Sequence, residues 1–340
     1  MNNIADYKTD HLSIGTVCSH SAMQIFHGAK QEGFKTIGLT LPSRKSTYEL
    51  FPLARPDEFI ELESFKQLLT TENQKKLLDK NAIIIPHGSF VEYVGAKNIL
   101  ENYNVPVFGN KGSMIWESSR EKVTQWMELA KLNVPKYKSP DEIDSLCIVK
   151  LGGAKGGRGF FLVKNETEFY DKLGPNKIED VVIQEYIVGV RYYHHFFHSV
   201  IKNRTEFLGI DQRLESNVDG LHRIHEYVEP SYTVTGNAPV VIRESLVPGI
   251  VKMGENIVKA SKELFSPGLS GPFCIETICT PDLKFYAFEI SARIVAGTNV
   301  YPLGSQYSCY YFDEPMSTGR RIAREIKEAK QNDSLEKVVS

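Results

Sequence analysis

The chain has 340 residues, 41% hydrophobic and 24% charged, and its 40 basic and 42 acidic side chains leave a formal net charge of -2; that length suggests about two domains with real cores and the composition excludes disordered and fibrous classes. Near-neutral charge gives no broad positive field for nucleic acid or an anionic membrane, which turns attention to small-molecule partners. No run approaches the roughly 18 apolar residues of a membrane span, the opening MNNIADYKTDHLSIG has no signal-peptide core, and Cys18, Cys147, Cys274, Cys279 and Cys309 form no CxxC pair, so the expectation is a cytoplasmic protein with reduced, mostly buried thiols.

In chain order, LSIGTV (12–17) reads as a strand, Ser21 to Glu32 as a helix, and TIGLT (36–40), AIIIP (82–86) and VPVFG (105–109) as further strands. AIIIP is an uninterrupted apolar run, as a parallel strand covered on both faces requires. The alternation is a βαβ signature, hence a doubly wound, Rossmann-like layer with ligand loops at the strand C-termini. Ser113 to Leu132 reads as one long helix ended by Asn133-Val134-Pro135, and a boundary near Gly112 divides the chain into residues 1–112 and 113–340. Past it come a strand ending in IVKL, a helix over 166–173, strands near 181–187 and 192–201, a long helix over 243–264, a hairpin over 273–291 and a basic helix over 319–330.

Residues 152–159 read GGAKGGRG and follow Ile148, Val149 and Lys150. Such a loop lets backbone N–H groups approach phosphate oxygens closely, with Lys150, Lys155 and Arg158 supplying positive charge. It is neither the P-loop pattern GxxxxGKS/T nor a Rossmann GxGxxG, and a ligand-free surface hairpin is the plain alternative. The hairpin FCIETICTPDLKFYAFEISAR is sharper. A turn centred between Asp282 and Leu283 makes Glu276 and Glu289 direct cross-strand partners. Two facing carboxylates repel unless a cation or proton lies between them, and hard oxygen donors without nearby histidine or cysteine favour Mg²⁺ or Mn²⁺. Period two then puts Ser291 and Arg293 on the same face, where Arg293 suits a γ-phosphate. Two solvated glutamates are the plain alternative.

Between loop and hairpin, VVIQEYIVGV (181–190) is an apolar strand carrying Gln184 and Glu185. A strand-end lysine before a glycine loop, a QEYIxG hinge and two hairpin carboxylates followed by arginine together resemble the ATP-grasp superfamily. The resemblance implies an ATP-grasp fold of two α+β lobes after residue 112, with Lys150, Gly156, Gly157 and Arg158 at the phosphates of ATP, Gln184, Glu185, Tyr186 and Ile187 at the adenine, and Glu276 and Glu289 at Mg²⁺ or Mn²⁺. Two positions depart from its pattern: Ser291 stands where asparagine is usual, and Arg191 where a ribose-binding glutamate often follows the hinge.

Segments 19–34, 84–90, 213–224, 235–245 and 289–299 further resemble the archaeal PurP family of formate-dependent purine ligases. That resemblance implies ATP-driven joining of formate to 5-aminoimidazole-4-carboxamide ribonucleotide (AICAR), with catalytic Lys150 and Arg293, nucleotide contacts from His20, Ser89 and Asn237, an ATP contact from Glu215, and a homo-oligomeric assembly. The residues agree on geography, because Ser19-His20-Ser21 and His87-Gly88-Ser89 leave strand ends where ligand crevices form and helix N-termini suit a ribose phosphate. Another ATP-grasp ligase and an idle nucleotide-binding module are the rivals. His194, His195 and His198 suggest a metal cluster, but strand alternation turns His195 away from the other two.

Overall fold

The structure, a computed structural model, describes residues 4–151, 160–174, 178, 181–216 and 233–340. Four parallel strands form the first sheet. They are β1 (Ser13–Val17), followed by α1 (Ala22–Gln31); β2 (Lys35–Thr40), followed by α2 (Pro42–Glu49); β3 (Glu58–Glu61), followed by α3 (Thr71–Leu78); and β4 (Ala82–Ile84), followed by α4 (Gly88–Val94) and α5 (Ala96–Asn102). Their spatial order is β3-β2-β1-β4. Side chains alternate between two cores, with Ile14 and Ile83 meeting α1 and Val17, Ile37 and Ile84 meeting α4 and α5. No helix among the described residues is long and apolar enough to cross a membrane.

Three readings of this half need correction. VPVFG is not a strand of the sheet: Val107 makes one parallel bridge to Ile84 and otherwise pairs its backbone with Ser340. The fourth strand is instead EFIE (58–61), an edge strand whose polar side faces solvent, so it carries no apolar run to recognise. The expected long helix is two, α6 (Lys111–Glu117) and α7 (Arg120–Leu129). The break has a local cause, since Ser118 donates back to the Met114 carbonyl at 2.7 Å and Ser119 accepts from Lys122 N–H as the cap of α7.

Next comes a three-stranded antiparallel sheet made of β5 (Cys147–Leu151), β6 (Phe160–Val163) and β7 (Val181–Glu185), in the order β6-β5-β7 and carrying α8 (Glu166–Leu173). The loop 152–159 lies outside the described residues, and Gly156, Gly157 and Arg158 with it. A five-stranded antiparallel sheet follows, built from β8 (Val190–Ser199), β9 (Arg204–Glu215), β10 (Val234–Pro239), β11 (Gly271–Cys279) and β12 (Phe285–Ser291), in the order β10-β9-β8-β11-β12. Helix α9 (Val247–Leu264) buries Ile250, Ile257 and Val258 with Trp126 of α7 over one face of this sheet. The last helix, α10 (Thr318–Gln331), returns to the first layer and packs Ile322 and Ile326 beside Ile25 of α1.

The two helices touch backbone to backbone. A Cβ on Gly28 would lie 2.2 Å from Arg320 N, and one on Gly319 would lie 2.2 Å from the Gln24 carbonyl, so only glycine permits this crossing. Burial also fixes the charge state of several histidines. His87 bonds the Val17 carbonyl at 2.8 Å, His194 the Thr277 hydroxyl at 2.9 Å and His198 the Thr205 hydroxyl at 3.1 Å. Burial holds these imidazoles down to about 3, 3 and 4 respectively, below the ordinary 6.5. The unfolded chain therefore binds protons that the folded chain refuses, and stability present above pH 6.5 is lost as the pH falls toward 4. The expected result is a melting temperature that drops between pH 7 and pH 5 with proton uptake on unfolding. A flat profile by calorimetry across that window would contradict the neutral assignment.

Candidate active site

Glu276 and Glu289 are direct partners across β11 and β12. The hairpin reaches this register by another route than the one expected. Its turn centres on Asp282, with Cys279 opposite Phe285, and a bulge between Glu276 and Thr277 on the ladder shifts the pairing by one residue. Glu276 is buried and receives the Arg213 guanidinium at 2.6 Å; Arg213 in turn lies 3.8 Å over the ring of Tyr193, the residue of β8 opposite Glu276. Glu289, by contrast, is exposed. Glu276 opposite it, then burial, push its carboxyl well above the usual carboxylate range, while Arg213 and Arg293 pull it back. Because Glu289 keeps that open surface, the neighbouring charge rather than burial sets the direction.

Arg293 does not sit on the strand. Chain β12 ends at Ser291, and the following stretch turns to run beside His87 of the first layer, with Ile294 bridged to His87. Arg293 there meets Glu117 at 2.9 Å and leaves its buried Nε without a partner. The other Glu117 oxygen accepts the Ala292 N–H at 2.7 Å.

The loops that leave β1 and β4 converge on the same place. Ser19 and Ser89 share a hydrogen bond of 2.8 Å, and the His87 ring accepts the Ser89 N–H at 3.2 Å as the cap of α4. His20 takes φ +48° and stacks with His87 at 5.7 Å between ring centres, and the residue at the cap position of α1 is Ser21. Both His20 and Arg293 border Gly88, each with an atom within 3.4 Å of where a Cβ would stand. Burial, then Arg293, Arg213 and Arg44, hold the His20 imidazole down at about 4.

On the three-stranded sheet, Lys150 donates to the Gln184 side chain at 2.7 Å, and burial, then Arg120, lower its affinity for a proton while Glu289 raises it. Glu185 accepts from Lys136 N–H at 3.3 Å, Tyr186 N–H donates to the Leu146 carbonyl at 3.0 Å, and Ile187 is buried. Arg191, which stands where a glutamate often follows the hinge, pairs with Glu215 of β9 at 3.0 Å. Asn237 of β10 donates to Asp211 at 2.7 Å. Sequence reasoning missed Glu117, Arg213 and Asp211. Asp211 and Arg213 lie two apart on a strand of mixed polarity, RTEFLGIDQRLE, whose pattern does not single them out.

The carboxylate pair suits a divalent cation: of these two hard oxygen donors only Glu276 holds an ion pair among the described residues, which leaves surplus negative charge. Among the described residues no histidine, cysteine or further carboxylate joins them in a metal-holding group.

Two family models cover most of the chain, a protein of unknown function (DUF1246) over residues 14–138 and a domain of unknown function (DUF1297) over residues 167–340. A protein of Korarchaeum cryptofilum named 5-formaminoimidazole-4-carboxamide-1-(beta)-D-ribofuranosyl 5'-monophosphate synthetase is 49% identical, over 99% of this chain and 97% of its own. The protein of that name from Methanocaldococcus jannaschii is 43% identical over 98% and 96%. The crystal structure of an IMP biosynthesis protein PurP from Thermococcus kodakaraensis, 33% identical, matches 96% of this chain and 100% of its own with a TM-score of 0.79. The chain belongs to the PurP family. Outside PurP, the ADP complex of the N5-carboxyaminoimidazole ribonucleotide synthetase purK matches 92% of this chain and 76% of its own at 15% identity and a TM-score of 0.64. The fold is the ATP-grasp fold.

Glu276 and Glu289 are not equivalent, and substitution should separate them. Glu289→Gln removes repulsion without breaking an ion pair among the described residues, so the expected result without metal is a raised melting temperature and loss of any Mg²⁺-induced rise. Glu276→Gln strips Arg213 of its partner and is expected to lower the melting temperature. Thermal shifts of equal sign in both variants would refute this charge balance.

Proposed function

We propose that the chain is an ATP-dependent ligase that formylates AICAR with formate, giving 5-formamidoimidazole-4-carboxamide ribonucleotide, ADP and phosphate on the way to IMP. The observation that carries this is the meeting, at one cleft, of a carboxylate pair suited to a metal–nucleotide with the two strand-end loops of the first layer. The names of the full-length relatives describe synthesis of the same formamido nucleotide.

In this reading a formate oxygen attacks the γ-phosphorus, the bond from that phosphorus to the β–γ bridging oxygen breaks, and ADP departs. The AICAR amine then attacks the formyl carbon, phosphate leaves, and the nitrogen loses a proton. Lys150 with Gly156, Gly157 and Arg158 meets the ATP phosphates, residues 184–187 and Glu215 the nucleoside, and Arg293 the transferring phosphoryl group. His20, Ser89 and Asn237 hold AICAR. Mg²⁺ or Mn²⁺ on Glu276 and Glu289 would neutralise the charge on the β- and γ-phosphates. The neutral state of His20 suits a hydrogen-bonding contact rather than a charge pair. The reading keeps residues 1–112 as a Rossmann-like domain and 113–340 as the ATP-grasp domain of a cytoplasmic enzyme with small-molecule partners. Leu50, Phe51 and Leu53, all exposed on one loop, support contact between copies in a homo-oligomer.

ADP release tests the reaction: it is expected only with formate and AICAR together, and release with acetate, glycine or bicarbonate in place of formate would refute the substrate assignment. Glu289→Gln should cost at least about 100-fold in turnover. Lys150→Ala should weaken ATP binding and spare AICAR. His20→Ala should raise KM for AICAR alone, whereas a lowered melting temperature with unchanged KM would make His20 a structural residue.

A further inference from the structure

Asp211 is 1% exposed and binds two donors, His195 Nε2 at 2.6 Å through Oδ1 and Asn237 Nδ2 at 2.7 Å through Oδ2. His195 is equally buried, and its Nδ1 has no partner. The pair lies on the face of the five-stranded sheet that carries the metal carboxylates. Asp211 is opposite Tyr193, Tyr193 opposite Glu276 and Glu276 opposite Glu289, and one row on, His195 is opposite Cys274 and Cys274 opposite Ser291. The turn over residues 296–300 sits directly on Asp211: a Cβ on Gly297 would fall 2.1 Å from Oδ1. Asn299 of the same turn donates to the His20 carbonyl at 3.2 Å and accepts from Gln24 at 2.8 Å.

A buried carboxylate and imidazole are expensive to hold in an interior, and an apolar pair of similar volume stabilises a sheet at least as well. Their arrangement has a consequence that an apolar pair lacks. Asn237 is half-buried on an edge strand, and its amide has two nearly isosteric orientations. A carboxylate only accepts, so Asp211 must face the NH₂ group, and the Asn237 carbonyl oxygen is then turned away from it.

We propose that His195 and Asp211 are positioning residues that lock Asn237 with its carbonyl toward the nucleotide, so that the site selects a ligand presenting an N–H donor there, as the amine or carboxamide of AICAR does. This rests on the proposed function and deepens it. His195 fixes the Asp211 carboxylate, Asp211 fixes the Asn237 amide, and the turn resting on Asp211 carries the link to the His20 backbone.

Asp211→Asn decides the matter because it keeps the size and reverses the polarity. His195 still donates to the new carbonyl, the new NH₂ group faces Asn237, and Asn237 turns its own NH₂ outward. The probes are AICAR and its analogue with a carboxylate in place of the carboxamide, measured by calorimetric binding and by KM alongside melting temperature. The expected result is a loss of AICAR affinity of about tenfold or more, a smaller preference over the carboxylate analogue, and unchanged ATP binding and melting temperature. His195→Gln, which retains a donor, should keep most AICAR affinity, and His195→Phe should lose it. Equal AICAR binding by the wild type and Asp211→Asn would overturn the inference alone. So would a lowered melting temperature with ATP and AICAR weakened alike, which would make the pair a tie between strands. A wild type that neither binds AICAR nor releases ADP with it would overturn the proposed function, and this inference with it.

Discussion

Arg321 of α10 keeps its charge with no surface in contact with solvent. Glu206 of β9 holds its Nε at 2.7 Å, Glu325 one turn along the helix holds Nη2 at 2.9 Å, and the guanidinium lies 4.3 Å over the ring of Phe197. Arg204 adds a second cation on Glu206, so two arginines balance two carboxylates. Losing one partner from such a group leaves an uncompensated buried charge, at a cost of about 3–5 kcal/mol. The group joins the last helix to the five-stranded sheet. On its other side the same helix is fastened to α1 by the Gly28 and Gly319 crossing and by Glu32, which takes Arg320, Arg324 and Lys327. Sheet and first layer are thereby held at a fixed separation, and the segment between β12 and α10 is drawn across the gap.

That segment is where the cleft acquires its chemistry. It begins at the carboxylate-bearing face of the hairpin, delivers Arg293 to the loop after β4, rests Gly297 on Asp211 and ties Asn299 to the backbone of His20. No strand of either sheet could carry one chain past all four points, because the strands of each sheet stay within it. The hairpin carboxylates and the strand-end loops of the first layer therefore sit side by side only while the helix clamp holds.

The hairpin pair, the βαβ layer and the glycine-loop strand were legible because each follows from local periodicity. The facing glutamates came out right even though the turn is one residue shorter than expected, since the bulge restores the register. What escaped had no local signal. EFIE is half solvent-facing, so its apolar alternation is faint, and the break at Ser118 and Ser119 depends on side chains that bond back to the main chain. Arg293 was assigned to a strand face by period two, but β12 had already ended. Asp211 and Arg213 could not be placed from sequence, because their roles arise from residues 16 to 63 positions away. His195 was rightly separated from its histidine neighbours by alternation, but alternation says nothing of the carboxylate that it meets.

The charges around the carboxylate pair also bear on how the proposed substrates and cation would be held together. Arg213 and Arg293 are each committed to a carboxylate, Glu276 and Glu117 respectively. An anionic ligand that draws Arg213 toward itself strips Glu276 of its compensating charge and leaves it, beside Glu289, with a stronger demand for a cation. A cation on that pair in turn frees Arg213 for the anion. Linkage makes the two effects equal in size, since each ligand raises the other's affinity by the same factor. On the proposed reading Glu289, the exposed member of the pair, would meet a cation first, and buried Glu276 would follow as its arginine lets go.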